Sequence, residues 1–327
     1  MKASRNKPLK GPASARPLDW LLLAMLVMIS GSSFVMIRGA LASMPPVAIA
    51  VIRLWLGAGL MTLIMLIAGR RFPPPLVKTG KGLRLHNSWA AMLLISIVGY
   101  TVPFLIFPWA QQFVDSGLAG VYMAFMPVWT VFLAFFFAGE SLTPGKIAGF
   151  ALGLAGALIL LGPDVIAGAA RSSILAQVGL LFATFCYAAS AILMRRTRAI
   201  RPRVFAAGTI LGAAIFATPA LLLADLHAGQ WRLASIASVV GLAVGPTGLA
   251  GLIIIMIVKR AGAGFMALAN YLAPVWAVIL GAVIFHERLE PRVFIALALI
   301  LIGVAASQRR SKARPAPLPL QTEPPQT

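Results

Sequence analysis

Pro127-Val128-Trp129, followed by Glu140, Leu142 and Pro144, returns 147 residues later as Pro274-Val275-Trp276 with Glu287, Leu289 and Pro291. In the same register Gly117 pairs with Gly264, Val131 with Val278, Leu133 with Leu280, and Gly156 with Gly303. Farther forward, at a slightly longer offset, Ser33, Arg38, Ala42, Pro45 and Ala50 align with Ser190, Arg195, Ala199, Pro202 and Ala207. The chain therefore reads as two copies of one unit of roughly 150 residues, and whatever fold it adopts has to be built twice. The copies are expected at 18–162 and 163–307, with a basic tail at 1–17 and a disordered tail at 308–327.

Each copy holds five apolar runs, near 19–38, 46–68, 88–109, 116–138 and 144–162, then 174–194, 204–224, 234–258, 264–285 and 292–307. Runs of this kind suit about 30 Å of hydrocarbon. With 60% hydrophobic and 11% charged residues, the chain lacks the polar surface a soluble globule needs. The expected fold is an all-α membrane protein of ten transmembrane helices. A formal charge of +20 would suit a nucleic-acid binder, but the basic residues sit in short loops and tails, and no continuous basic face with base-reading side chains exists. The single Cys186 excludes disulfides within the chain and Cys-ligated metal sites. His86, His227 and His286 are scattered, so no metal and no cofactor is expected. The first run, with Ala40-Leu41-Ala42 after it, imitates a cleaved leader, yet its repeat partner in the second copy argues that it stays as a helix.

Loop charge predicts orientation. Of 28 Lys and Arg residues, 22 fall on one side, while Arg38, Arg171, Arg232, Arg288 and Arg292 fall on the other. Positive loops stay inside, so both termini are expected in the cytoplasm. Five helices per copy is an odd number, so the second copy has to enter the membrane upside down, as an inverted repeat.

Two inverted five-helix repeats, each with a mid-helix proline and a turn into Glu-x-Leu-x-Pro, resemble the EamA family of the drug/metabolite transporter superfamily. The resemblance is densest at Pro127 to Pro144 and Pro274 to Pro291, with Ser30-Gly31-Ser32-Ser33-Phe34 and Arg53 in support. It implies a multi-pass carrier of the cell inner membrane for amino acids, other metabolites or amphiphilic compounds, often outward. Its partners would be the lipid bilayer and a small-molecule substrate, with a homodimer as a compatible assembly.

Pro127 and Pro274 each remove a backbone hydrogen bond, freeing the carbonyls of Met123 and Asn270. Such groups are tolerated at membrane depth beside neighbouring helices or a watery cavity. These prolines are either packing kinks or hinges of a central site, and Pro103 and Pro246 interrupt matching runs of the two copies. Tyr122 and Trp129 share a helical face, and Trp276 is the repeat mate of Trp129. A tryptophan in mid-membrane needs an internal partner or a cavity for its N–H. Asn270, Tyr271, Ser33, Tyr100 and Tyr187 are further polar groups in the spans, to be weighed as substrate contacts or as packing glue.

Arg53 lies about two turns inside its helix, where it snorkels, pairs with Asp115, or meets an anionic substrate. Asp115, Glu140 and Glu287 sit at helix margins and are the candidates for ion coupling, although helix-start anchoring competes for the two glutamates. A pore or channel-like facilitator is the alternative to a carrier. A membrane-embedded enzyme ranks lower, because no catalytic acid pair, Ser/His dyad or metal cluster is visible.

Overall fold

Five of the long helices begin with proline at the first helical position, where its missing N–H leaves no gap. They are α1 (Pro17–Leu41), α2 (Pro46–Ile67), α7 (Pro144–Ile166), α9 (Pro202–Ala217) and α14 (Pro291–Gln308). The computed structural model describes residues 16–79, 82–138, 143–166, 171–197, 200–225 and 230–308. The basic tail before Arg16, most of the expected tail after Gln308, and Glu140 lie outside the described residues.

Between these helices the chain forms α3 (Asn87–Ser96), which runs through a π turn (Ile97–Thr101) into α4 (Val102–Ala110). Next come α5 (Ser116–Met123), α6 (Met126–Ala138) and α8 (Arg171–Arg196). In the second half α10 (Leu233–Leu242) passes through another π turn (Ala243–Leu249) into α11 (Ala250–Ala261), followed by α12 (Ala263–Met266) and α13 (Leu268–Phe285). Among the described residues, 8 helical segments are long and apolar enough to cross a membrane, and Pro144–Leu160 and Pro291–Ser307 are shorter apolar helices. Leu63, Phe136, Leu158, Val283 and many other large apolar side chains face outward, an arrangement suited to lipid rather than water. The loop after α2, expected as a plain basic loop, instead folds an antiparallel hairpin, β1 (Leu76–Thr79) with β2 (Gly82–Leu85).

The packing is interlaced. α1 packs on α10, α11 and α13, whereas α8 packs on α4, α6 and the first π turn. α2 lies against α9 and the second π turn, and α9 lies against α3 and the first. Most helices thus find their main partners in the other half of the sequence, so neither half completes a core alone. α7 and α14 form the tightest contact, through glycines. A Cβ on Gly303 would stand 2.7 Å from the Gly149 carbonyl oxygen, and one on Gly156 would stand 2.8 Å from Ile300. Only backbones without side chains come this close.

The prolines differ from expectation. The chain breaks ahead of Pro127, with Ala124 and Phe125 in a turn between α5 and α6, while Pro274 sits inside a continuous α13. The second half breaks earlier, at Ala267. The two matched runs interrupted at Pro103 and Pro246 do share one device, since each carries a π turn. In both, a threonine hydroxyl donates to the carbonyl five residues back: Thr101 to Ser96 (3.1 Å) and Thr247 to Leu242 (2.9 Å). Each takes up an acceptor that the widened turn would otherwise leave unpaired.

Candidate functional site

Arg53 enters from α2 and is 8% exposed. Its Nε donates to Thr247 Oγ1 at 2.8 Å, and its guanidinium carbon lies 4.0 Å above the Phe104 ring. Gly57, one turn along α2, makes room for this contact, since a Cβ there would meet the Thr247 methyl at 2.7 Å. Tyr187 of α8 is near enough to interact electrostatically with both Arg53 and Tyr100, and Tyr100 stacks obliquely on Phe104 at 5.7 Å. The second π turn therefore delivers Thr247 to this arginine, and the first sets Tyr100 against the Phe104 ring that lies over it. The expected Arg53–Asp115 pair is absent: among the described residues Arg53 has no acidic partner. Asp115 lies instead beside Glu287 and Arg38.

Glu287 performs a different task from the one expected. It does not anchor its own following helix; its carboxylate accepts from Ser116 N (2.8 Å), Ser116 Oγ (2.6 Å) and Gly117 N (2.8 Å). Those amides are the unpaired first donors of α5, so an acid from the turn after α13 caps a helix of the other half. Asp115, the N-cap residue, makes no side-chain cap bond, because Glu287 already occupies the donors. Burial first, and then the charge of Glu287, push the Asp115 carboxyl above its usual range, while Arg38 draws it down. Arg38 Nη1 donates to the Gln111 carbonyl at 2.9 Å, and the Gln111 side-chain amide is buried without a partner among the described residues.

The other singled-out residues separate. Tyr122 is 0% exposed and its hydroxyl donates to Gln177 at 2.6 Å, which makes it core rather than a cavity wall. The Ser33 hydroxyl donates to the Ser30 carbonyl of its own helix. Asn270 is exposed and Tyr271 half-buried on α13. Trp129 and Trp276 do not converge: Trp129 packs with Phe185 of α8, and Trp276 packs with the core around α1 and α11. Trp276 Nε1 donates to Ser32 at 3.1 Å, whereas Trp129 Nε1 is buried with no partner among the described residues. At the offset that aligns Ser33 with Ser190, the mate of Ser32 is Ala189, which packs in the same cluster as Trp129. Ala189→Ser should supply the missing acceptor and stabilise the protein by about 1 kcal/mol, read as a higher melting temperature. An equal gain in a Trp129→Phe background would refute the explanation.

Phe104, Gln177 and the cap made by Glu287 were not singled out from the sequence. The interruption Gly245-Pro246-Thr247 pointed to the right turn, but nothing local says which side chain it meets 194 residues away.

The fold defines a polytopic helical membrane protein. The profile of the EamA-like transporter family matches residues 18–162 and 174–307, and the chain belongs to that family. It is similar to the uncharacterized transporter YvbV of Bacillus subtilis, 25% identical over 285 residues covering 86% of this chain and 88% of the relative. It is also similar to the uncharacterized inner membrane transporter YedA of Escherichia coli K12, 28% identical over 295 residues, or 87% and 88% of the two chains. A solved crystal structure matches 90% of this chain and 97% of its own at a TM-score of 0.61 and 21% identity, a likeness of fold.

Proposed function

We propose that this protein is an alternating-access carrier that moves small metabolites, amino acids or amphiphilic compounds outward across the plasma membrane. In this reading the repeats are inverted, both termini are cytoplasmic, and the two halves rock about an interior that contains Arg53, Tyr100, Tyr187, Asn270 and Tyr271. One observation carries it. α13 packs along α5, at the end where Glu287 caps Ser116 and Gly117, but makes no comparable contact along α6 among the described residues. Helices that touch at one end and part at the other describe one side of a rocking cycle. The orphaned Gln111 amide and the Asp115–Glu287 pair make the closed end costly to hold, which favours a two-state device over a static one. Loop charge puts the closed end outside. Asp115 and Glu287 are then the coupling candidates, with Pro127, Pro103 and Pro246 at the backbone breaks as hinges.

Asn270→Cys in a Cys186→Ser background tests this reading. The thiol should react with an impermeant reagent supplied from the cytoplasmic side and be silent from outside. Equal reaction from both sides would favour a pore. A reporter fused after Gln308 that is active only outside would overturn the topology.

A further inference from the structure

We infer that the substrate is a small organic monoanion whose carboxylate binds end-on to the guanidinium of Arg53; this rests on the carrier reading above. An arginine almost wholly removed from solvent at membrane depth needs compensation by acceptors or by opposite charge. Here the protein supplies a single acceptor, Thr247 Oγ1, and it goes to Nε. Among the described residues no protein group accepts from Nη1 or Nη2, and Arg53 takes part in no salt bridge. The acceptor is itself fixed: the Thr247 hydroxyl donates to Leu242 O, so its lone pair points at Nε and sets the plane of the guanidinium. Phe104 covers one face of that plane at 4.0 Å. The edge bearing the two terminal nitrogens is what remains, and two parallel N–H donors in one plane match the two oxygens of a carboxylate.

Charge and lining narrow the class. Arg53 brings one positive charge to these groups, so a monoanion is neutralised while a dianion or phosphate leaves an excess negative charge in an apolar interior. Tyr187 packs against the same cluster as Leu54 and Phe104, within electrostatic range of Arg53, and its hydroxyl is the neighbouring donor for the same anion. Tyr100 and Phe104 provide aromatic surface beside it, which suits an apolar or aromatic body on the carboxylate.

The test is thermal stability of the purified wild type in nanodiscs with benzoate, acetate, inorganic phosphate, and the neutral isosteres benzamide and acetamide. Benzoate should raise the melting temperature most, acetate less, and the amides and phosphate little. Arg53→Gln should abolish the benzoate shift. Tyr187→Phe, which leaves the ring in place, should weaken benzoate by about tenfold, the effect of losing one charge-assisted bond, and keeps the test open if Arg53→Gln fails to fold. A benzoate shift that survives either substitution at full strength, amides equal to acids, or no response of the wild type to any carboxylate would overturn the assignment. None of those outcomes touches the carrier reading, which stands or falls on the sidedness of labelling at position 270.

Discussion

In the carrier reading, Glu287→Ala should open the end of the molecule where α13 meets α5. The carboxylate accepts three hydrogen bonds, from two backbone amides and one hydroxyl, and its loss leaves Ser116 N and Gly117 N unpaired only while that end excludes water. In an open end, water satisfies them. The substitution therefore acts on the closed state by about 3 kcal/mol, counting the two amide bonds at about 1.5 kcal/mol each, the low end for a charged acceptor, and shifts the closed-to-open ratio by on the order of a hundredfold. Spin labels at the exposed positions Gln112 and Arg288, in a Cys186→Ser background, should report a longer distance in Glu287→Ala. An unchanged distance would show that the cap holds nothing shut.

Asp115 gives the same end a pH dependence with a determined sign. Its carboxyl is raised above the usual value by burial and by Glu287, so the closed end favours the protonated form. Its contribution to closure is complete below the ordinary carboxylate range and is lost as pH rises through the raised value. Asp115→Asn should therefore strengthen closure at neutral pH and flatten the pH profile of the same spin-label distance.

Helical spans were legible where apolar length marks them, in 8 segments among the described residues, and the expected duplication rests on pairs at one offset, Pro127 with Pro274 and Gly117 with Gly264. The interrupted runs at Pro103 and Pro246 were legible because proline withholds a backbone donor, although Pro274 shows that a helix can run on through one. What connects them was not. Arg53 had an acid of the right sign to pair with in Asp115, and the sequence offers no measure of which helix faces which. The fold gives Arg53 to Thr247 and Asp115 to a neighbour of like charge. Glu287 was misjudged because its anchoring role was sought on the next helix in sequence, while the turn containing His286 at φ 53° brings its carboxylate to α5. Repeat symmetry also misleads where one copy has drifted: Trp276 has Ser32, and Trp129 meets Ala189.

Gly149→Val should do what Glu287→Ala does not, namely disassemble the scaffold without choosing between its states. α7 and α14 meet backbone to backbone, and a Cβ on Gly149 would come within 2.8 Å of Ser307 Cβ as well as against the Gly303 carbonyl. Gly303 in turn faces Gly149 and Leu152, so neither helix has a flexible side chain that could yield. Separating the pair by a methyl's breadth costs about 3 kcal/mol for valine, and about 1–3 kcal/mol for Gly149→Ala. Gly59, on the exposed face of α2, has nothing within 4 Å of where a methyl would sit, so Gly59→Ala should instead stabilise its helix by about 0.5–1 kcal/mol. Thermal melting of the three variants separates these expectations, and the opposite signs of the two alanine substitutions exclude a general effect of replacing glycine. Should Gly149→Ala melt as high as Gly59→Ala, the α7–α14 contact is looser than described. If Gly149→Val also left the Gln112–Arg288 distance unchanged in the fraction that remains folded, α7 and α14 would be the fixed frame against which the Glu287 end opens.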